Sequence, residues 1–238
     1  MVDRSGSQQL IANDLWGKSL LDYHQGIHHV PLVLHTSFGA PETVPLDIFF
    51  RDKTQLSDLE VYALDLCQGN ILDIGAGAGC HSTILQESGH FLTALEISPG
   101  ACQVMRQRGV RRVVEGSIFE YKEKKYQTAL MMMNGLGIAG TLNRLAELLN
   151  CVYSRLTSNG QILADSSDVK YIFLDQKTSE TSYYGELEYS YEYGDERAPA
   201  FPWLFVDMDR LKCEALKVGL QVQILFEEED QYLARISR

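Results

Sequence analysis

From Asn70 onward, short apolar runs alternate with amphipathic stretches, and the first run passes without a break into three spaced glycines: NILDIGAGAG, Asn70 to Gly79. Few architectures accept this. Strands that follow one another through helices lie parallel in a sheet covered on both faces, because a parallel pair needs a crossover of about a dozen residues or more. Ile71 to Ile74 reads as the first strand, Cys80 to Glu87 as a helix, and Phe91 to Ile97 as the second strand. Ser98 then caps a helix that Pro99 opens and Gly109 closes, with Arg106 and Arg108 at the carboxyl end of its dipole.

Further strands are expected near Val113, at about Thr128 to Met133, and at Gln161 to Asp165. The intervening helix, Thr141 to Leu156, carries Leu145, Leu149 and Val152 at helical spacing and ends at Asn159-Gly160. A helix from Asp207 to Lys217 precedes LQVQILF and QYLARIS, two strands joined by an acidic turn too short for a crossover and therefore antiparallel. The expected fold is α/β, a doubly wound seven-stranded sheet with the last strand antiparallel. Residues 1–66 read as a mainly helical leader, interrupted by prolines between Val30 and Pro45, that caps a domain at 67–238.

One insertion stands apart. In GELEYSYEYG the residues Leu187, Tyr189, Tyr191 and Tyr193 alternate with Glu186, Glu188, Ser190 and Glu192, the period of a half-exposed strand. With Trp203 to Val206 pairing back, it makes a hairpin over about 183–206 that either walls a ligand pocket with aromatic rings or packs on the leader or another subunit.

Charge narrows the partners. Lys and Arg number 21 against 32 Asp and Glu, a net charge of −11, so phosphate neutralisation is a poor source of affinity and nucleic acid is disfavoured. Five scattered cysteines without a CxxC pair suggest reduced thiols, and His24, His28, His29 and His35 lack the acids that would complete a metal site. No apolar run is long enough to cross a bilayer and the start, MVDRSGSQQL, is unlike a signal peptide, so a cytoplasmic protein is expected.

The glycine turn is the place for a ligand, since its backbone passes close to whatever binds and a helix amino terminus presents free N–H groups there. A dinucleotide turn, GxGxxG, would have glycine where this chain has Cys80, and Asp73 beside the turn would repel pyrophosphate and welcome a cation. Glu96, 96 − 73 = 23 residues beyond Asp73, ends the second strand where a carboxylate can accept from a ribose diol. A ribose-bearing cation is implied. An NAD-dependent oxidoreductase remains the alternative enzyme, because it shares the strand, the turn and the ribose acid.

The ordered set LDIGAGAG, LEIS, EGSIFE and MMMNGLG resembles the class I S-adenosylmethionine-dependent methyltransferases of Rossmann-like fold, over about Asn70 to Ser167. The resemblance implies S-adenosyl-L-methionine as cofactor, with Asp73, Gly75 and Gly77 against its methionine end and Glu96 on the ribose. It further implies Ile97 packing on the adenine, Ser117 and Ile118 beside it, and Asn134 next to the transferable methyl. Where that family often has an acid in the adenine loop, this chain has Ser117. Arg51 in FFRD is a candidate partner for the methionine carboxylate, with a surface salt bridge as its other reading. His35 or His28 is a candidate base over the acceptor, and Asp165, Asp168 and Tyr171 at the carboxyl edge are candidate acceptor contacts. Strand four ends in NGLG and lacks the sequences of DNA-methylating enzymes, so the implied reaction is methyl transfer to a small molecule. A non-catalytic, cofactor-binding partner protein is the third reading.

Overall fold

The computed structural model describes residues 13–123, 125–173 and 183–238, and the first helix among them is α1 (Leu15–His24). Two strands follow, β1 (Leu32–Thr36) and β2 (Glu42–Thr43), and then helix α2 (Asp58–Asp65), capped reciprocally by Ser57 and Glu60. The proline-interrupted stretch thus carries extended chain as well as turns. The alternating region gives β3 (Ile71–Ile74), α3 (Cys80–Glu87), β4 (Leu92–Glu96), α4 (Pro99–Gln107), β5 (Val113–Glu115) and β6 (Tyr126–Met131). Helix α5 (Leu142–Tyr153) and β7 (Leu156–Ser167) come next. The insertion supplies β8 (Glu186–Tyr193), β9 (Glu196–Arg197) and β10 (Phe201–Leu204), and α6 (Met208–Lys217), β11 (Gln221–Glu228) and β12 (Gln231–Ser237) close the chain.

The main sheet has the order β11-β12-β7-β6-β3-β4-β5, parallel from β7 to β5, with β12 antiparallel to both neighbours. Both faces are covered. Ile71, Leu130, Leu163 and Leu233 pack with Leu59, Ala63, Ile84 and Leu85 on one side. Leu72, Ala129, Ile162 and Ala164 pack with Leu145, Leu149, Val152 and Leu211 on the other.

Some boundaries differ from the sequence reading: β6 ends at Met131, short of Met133, and β7 extends beyond Gln161 to Asp165 on both sides. The expected helix through Leu156 stops at Tyr153, and Asn159-Gly160 lies inside β7. Leu156 pairs with Tyr126 and Gln161 already pairs with Thr128, so the residues between them bulge from the ladder. A bulge absorbs the turn-forming pair without ending the strand.

A second, antiparallel sheet, β10-β8-β1-β2 with β9 also on β8, joins the leader to the insertion. The hairpin expected at about 183–206 therefore packs on the leader through β1. The leader is fastened to the domain a second time by α1, whose Leu15 and Leu20 share a cluster with Ala101, Val104 and Ala78. Asp14 holds this crossing, its carboxylate accepting from Gly17 N (2.8 Å), Gly100 N (2.9 Å) and Ser98 Oγ. A Cβ on Gly100 would lie 2.5 Å from the Gly17 carbonyl carbon. Gly100→Ala should therefore push α1 off α4 and cost about 1 to 3 kcal/mol, the scale of overpacking. Urea unfolding followed by tryptophan emission reads this, and an unchanged midpoint would contradict the docking.

Candidate functional site

At the carboxyl edge of the main sheet, β3 runs into Gly75, Gly77 and Gly79, whose φ values of 71°, 55° and 81° lie in the left-handed region. Three such turns in five residues exclude β-branched side chains and let α3 begin directly beneath the strand end. Glu96 finishes β4 beside this turn and is buried. Its Oε2 accepts from Gly77 N at 2.8 Å, and Oε1 accepts from Ile97 N and Ser98 N at 2.8 and 2.9 Å. Burial pushes the Glu96 carboxyl up, against the pull of these three donors. Asp73, also buried, accepts from Ser82 Oγ at 2.6 Å; burial pushes it up, and the charge of His81 opposes that.

These groups line one cavity of about 380 Å³. Its lining includes Asp73, Gly75, Gly77, Glu96, Ile97, Ser117 and Ile118. Rings from the insertion, Tyr189, Tyr191, Phe201, Trp203 and Phe205, also line it, so the hairpin walls the cavity as well as packing on the leader. Tyr191 stacks on Trp16 of α1 (centroids 5.5 Å apart) and Tyr189 on Trp203 (6.1 Å).

Asn134, in the left-handed region at φ 60°, also lines the cavity, but its polar atoms are engaged by the scaffold. Its N–H donates to Asp165 Oδ1 (2.9 Å), its Nδ2 donates to the Leu204 carbonyl (3.1 Å), and its Oδ1 accepts from Ser166 Oγ (2.8 Å). Asp165 thus lies behind Asn134, outside the cavity lining, and desolvation pushes its carboxyl up to about 7.

Four other candidates fall elsewhere. Arg51 is outside the lining, with both terminal nitrogens on Glu60 (2.9 and 2.6 Å) and Nε on the Ile48 carbonyl (2.7 Å). Its salt bridge is with the buried Glu60 and is not the surface pair of the sequence reading. His35 pairs across the second sheet with Ser190, whereas Leu34 and Thr36 pair with the cavity-facing Tyr191 and Tyr189. Register therefore turns His35 away from the cavity, where its Nε2 meets Glu192 at 2.8 Å. Asp168 accepts from Tyr184 OH (2.8 Å) and Lys170 N (2.9 Å) beyond the lining, and Tyr171 is exposed at 56%. Sequence reasoning missed Asp14, Trp16 and His81, all of which line the cavity. For His81 the signal was present, two residues after the last glycine of the turn.

Comparison with known proteins decides the family. A family model described as a methyltransferase domain matches residues 72–164. The crystal structure of a S-adenosylmethionine-dependent methyltransferase from Bacteroides fragilis, in complex with S-adenosyl-L-homocysteine, is 34% identical; the match covers 94% of each chain with a TM-score of 0.86. The chain belongs to the S-adenosylmethionine-dependent methyltransferases. Lower similarity, in fold alone, extends to the CcbJ methyltransferase of Streptomyces caelestis (13% identity, 75% of this chain and 93% of that one, TM-score 0.61). It also extends to the sugar N-methyltransferase KedS8 of a Streptoalloteichus species (14%, 84% and 96%, TM-score 0.59). No curated protein matches the chain.

The methyltransferase sheet and its cofactor, S-adenosylmethionine, follow from this membership, which sets aside the NAD reading and the non-catalytic one. None of the described helices is long and apolar enough to cross a membrane.

Asp165 gives the site a measurable signature. Its folded-state carboxyl, raised from the ordinary 3.8 to about 7, favours the neutral form, so its contribution to stability is whole below about pH 4 and is lost as pH rises through about 7. Asp165→Asn cannot ionise and retains an acceptor for Asn134 N–H. It should gain on the wild type by about 2 to 4 kcal/mol across that window, at about 1.4 kcal/mol per pKa unit. Unfolding free energies between pH 4 and 8 check this, and a constant difference would contradict it.

Proposed function

We propose that this methyltransferase acts on a small-molecule acceptor held in the aromatic half of the cavity, with the cofactor in the acidic, glycine-lined half. The observation that carries this reading is the continuity of the two halves in one cavity, from Glu96 and Gly77 to Tyr189 and Trp203.

The residues present suit the cofactor. The left-handed glycines keep side chains off the turn, and Asp73, Glu96 and Asp14 line the cavity with carboxylates that favour a cation. Asp73, Gly75 and Gly77 would hold the methionine end and Glu96 a ribose hydroxyl, through the one acceptor site that its three backbone donors leave free. Ile97, Ser117 and Ile118 would enclose the adenine, and Asn134 would border the methyl. When bound, the cofactor supplies a methyl group made electrophilic by its sulfonium.

The protein's own part is to position, to exclude water and to hold the acceptor. The rings of the insertion and Trp16 form the water-excluding wall. The hydroxyls of Tyr189 and Tyr191 have no hydrogen-bond partner among the described residues and are free for an acceptor's polar atoms. Burial pushes the Tyr189 phenol up to about 12, and Tyr191 is raised for the same reason, so both offer an O–H at neutral pH.

Two measurements test this. Isothermal titration should find S-adenosylhomocysteine binding to the wild type and a loss of about 1.5 to 3 kcal/mol in Glu96→Ala, the scale of a hydrogen bond to a charged group. Equal affinity in the folded variant would refute the ribose assignment. Incubation with radiolabelled S-adenosylmethionine and fractionated small-molecule, protein and nucleic-acid extracts should place label in the small-molecule fraction. Label confined to macromolecules would overturn the acceptor class.

A further inference from the structure

Between β6 and α5, directly after Asn134, the chain makes a 3-10 helical turn, Gly135–Ala139. Gly137 lies in this turn, buried and outside the cavity lining. Its φ is not in the left-handed region, so the backbone conformation does not call for glycine. An indole does. A Cβ on Gly137 would stand 2.3 Å from Cε2 of Trp203, 2.4 Å from Nε1 and 2.8 Å from Cδ2, so the ring rests directly on the glycine backbone. At the end of the same turn a Cβ on Gly140 would come within 3.1 Å of Pro202 Cγ.

Other contacts hold the ring as well. It stacks with Tyr189 (centroids 6.1 Å apart, planes 17° apart) and stands edge-on to Phe201 (6.3 Å, 89°). Trp203 pairs with Leu187 across β10 and β8, and Asn134 Nδ2 donates to the carbonyl of the next residue, Leu204. A ring fixed by backbone, strand and two neighbouring rings is a rigid wall, and this one lines the cavity. The turn also meets the glycine-lined half. Ile138, one residue beyond Gly137, lines the cavity too, and its Cδ1 is 3.2 Å from where a Cβ of Gly75 would stand. Consecutive residues of one turn therefore touch the glycine turn and seat the indole, which puts Trp203 near the junction of the two halves.

Resting on the proposed division of the cavity, we infer that Trp203 is the specificity-determining residue for the acceptor and that Gly137 is its positioning residue. The indole limits how much bulk can stand beside the reacting atom, because the backbone behind it leaves no room to retreat. Gly137 in turn gives the acceptor half its full depth. Any side chain there would drive the ring about 1 Å off its seat to restore an ordinary contact, and a displacement of about 1 Å between reacting groups costs up to about 100-fold. The acceptor class that fits is a compact molecule whose reacting atom carries no bulky neighbour.

Methyl transfer from radiolabelled S-adenosylmethionine to a serially diluted small-molecule extract, with products resolved by chromatography, tests this alongside calorimetric titration of S-adenosylhomocysteine. For Gly137→Ala the extract concentration giving half-maximal labelling should rise about 10- to 100-fold, with S-adenosylhomocysteine affinity within about twofold of wild type. Trp203→Ala removes the ring and should yield labelled species absent from the wild type. In that background Gly137→Ala should cost no more than about twofold further, since the three atoms nearest its Cβ all belong to the indole. Trp203→Ala carries the test if Gly137→Ala does not fold. An unchanged half-maximal concentration in Gly137→Ala, S-adenosylhomocysteine weakened in step with it, a full further loss in the double variant, or an unchanged product set in Trp203→Ala would each overturn the assignment. Wild-type protein that binds S-adenosylhomocysteine but labels no small molecule would overturn the acceptor reading itself, and this inference with it.

Discussion

Three backbone N–H groups converge on one buried carboxylate, Glu96, and the rest of the site is arranged around that convergence. The donors come from the glycine turn (Gly77) and from the entry to α4 (Ile97, Ser98), so a single side chain ties together two separate crossings from strand to helix. Burying a carboxylate is costly, and donors from the backbone offset that without any side-chain entropy. Asp14 then adds a second carboxylate at the start of the same helix, accepting from Ser98 Oγ and Gly100 N, and its charge raises Glu96 further. Two anions at one helix terminus repel each other even as the N–H dipoles attract both. The cavity is therefore polarised for a cation before any ligand enters.

The aromatic wall depends on parity. Strand β8 is flanked by β1 from the leader and by β10 from its own hairpin, and side chains alternate between faces along each. In the observed register Tyr189 and Tyr191 face the cavity, and Glu188, Ser190 and Glu192 face away. A slip of one residue would exchange the two sets, which is why a pairing between segments some 150 residues apart can be held uniquely. The same parity removes His35 from the chemistry and gives it Glu192 as a partner.

Local signals were legible in the sequence, and long-range ones were not. The glycine turn, the Ser98 and Pro99 helix start, and the apolar alternation of β3, β4, β6 and β7 are encoded within a few residues each, and the main sheet follows from them by the crossover rule. The pairing of β1 with β8 leaves no such trace, because a five-residue strand in a proline-rich stretch looks like a loop until its partner is known. Arg51 has the same difficulty. Its residue type suits a ligand carboxylate, but only the fold brings Glu60, in α2, to meet both of its terminal nitrogens. Asn159-Gly160 misled in the opposite way, since a strong turn signal was absorbed as a bulge.

Asn134 shows how closely scaffold and site are joined. Met133 and Asn134 both adopt left-handed backbone, at φ 58° and 60°, and each such residue costs about 1 to 3 kcal/mol that the surroundings must offset. Here the offset is visible, because Asp165, Ser166 and Leu204 each take a polar atom of Asn134. Ser166 passes the connection on, accepting from Val206 N at 3.1 Å, so the end of β6 is fastened to the segment that follows β10. Since β10 carries Phe201 and Trp203, a residue in the turn that follows β6 also helps to set the position of the aromatic wall. An asparagine suits this point because it tolerates the left-handed region and offers both an acceptor and a donor; leucine would leave both side-chain bonds unmade, and aspartate the one to the Leu204 carbonyl.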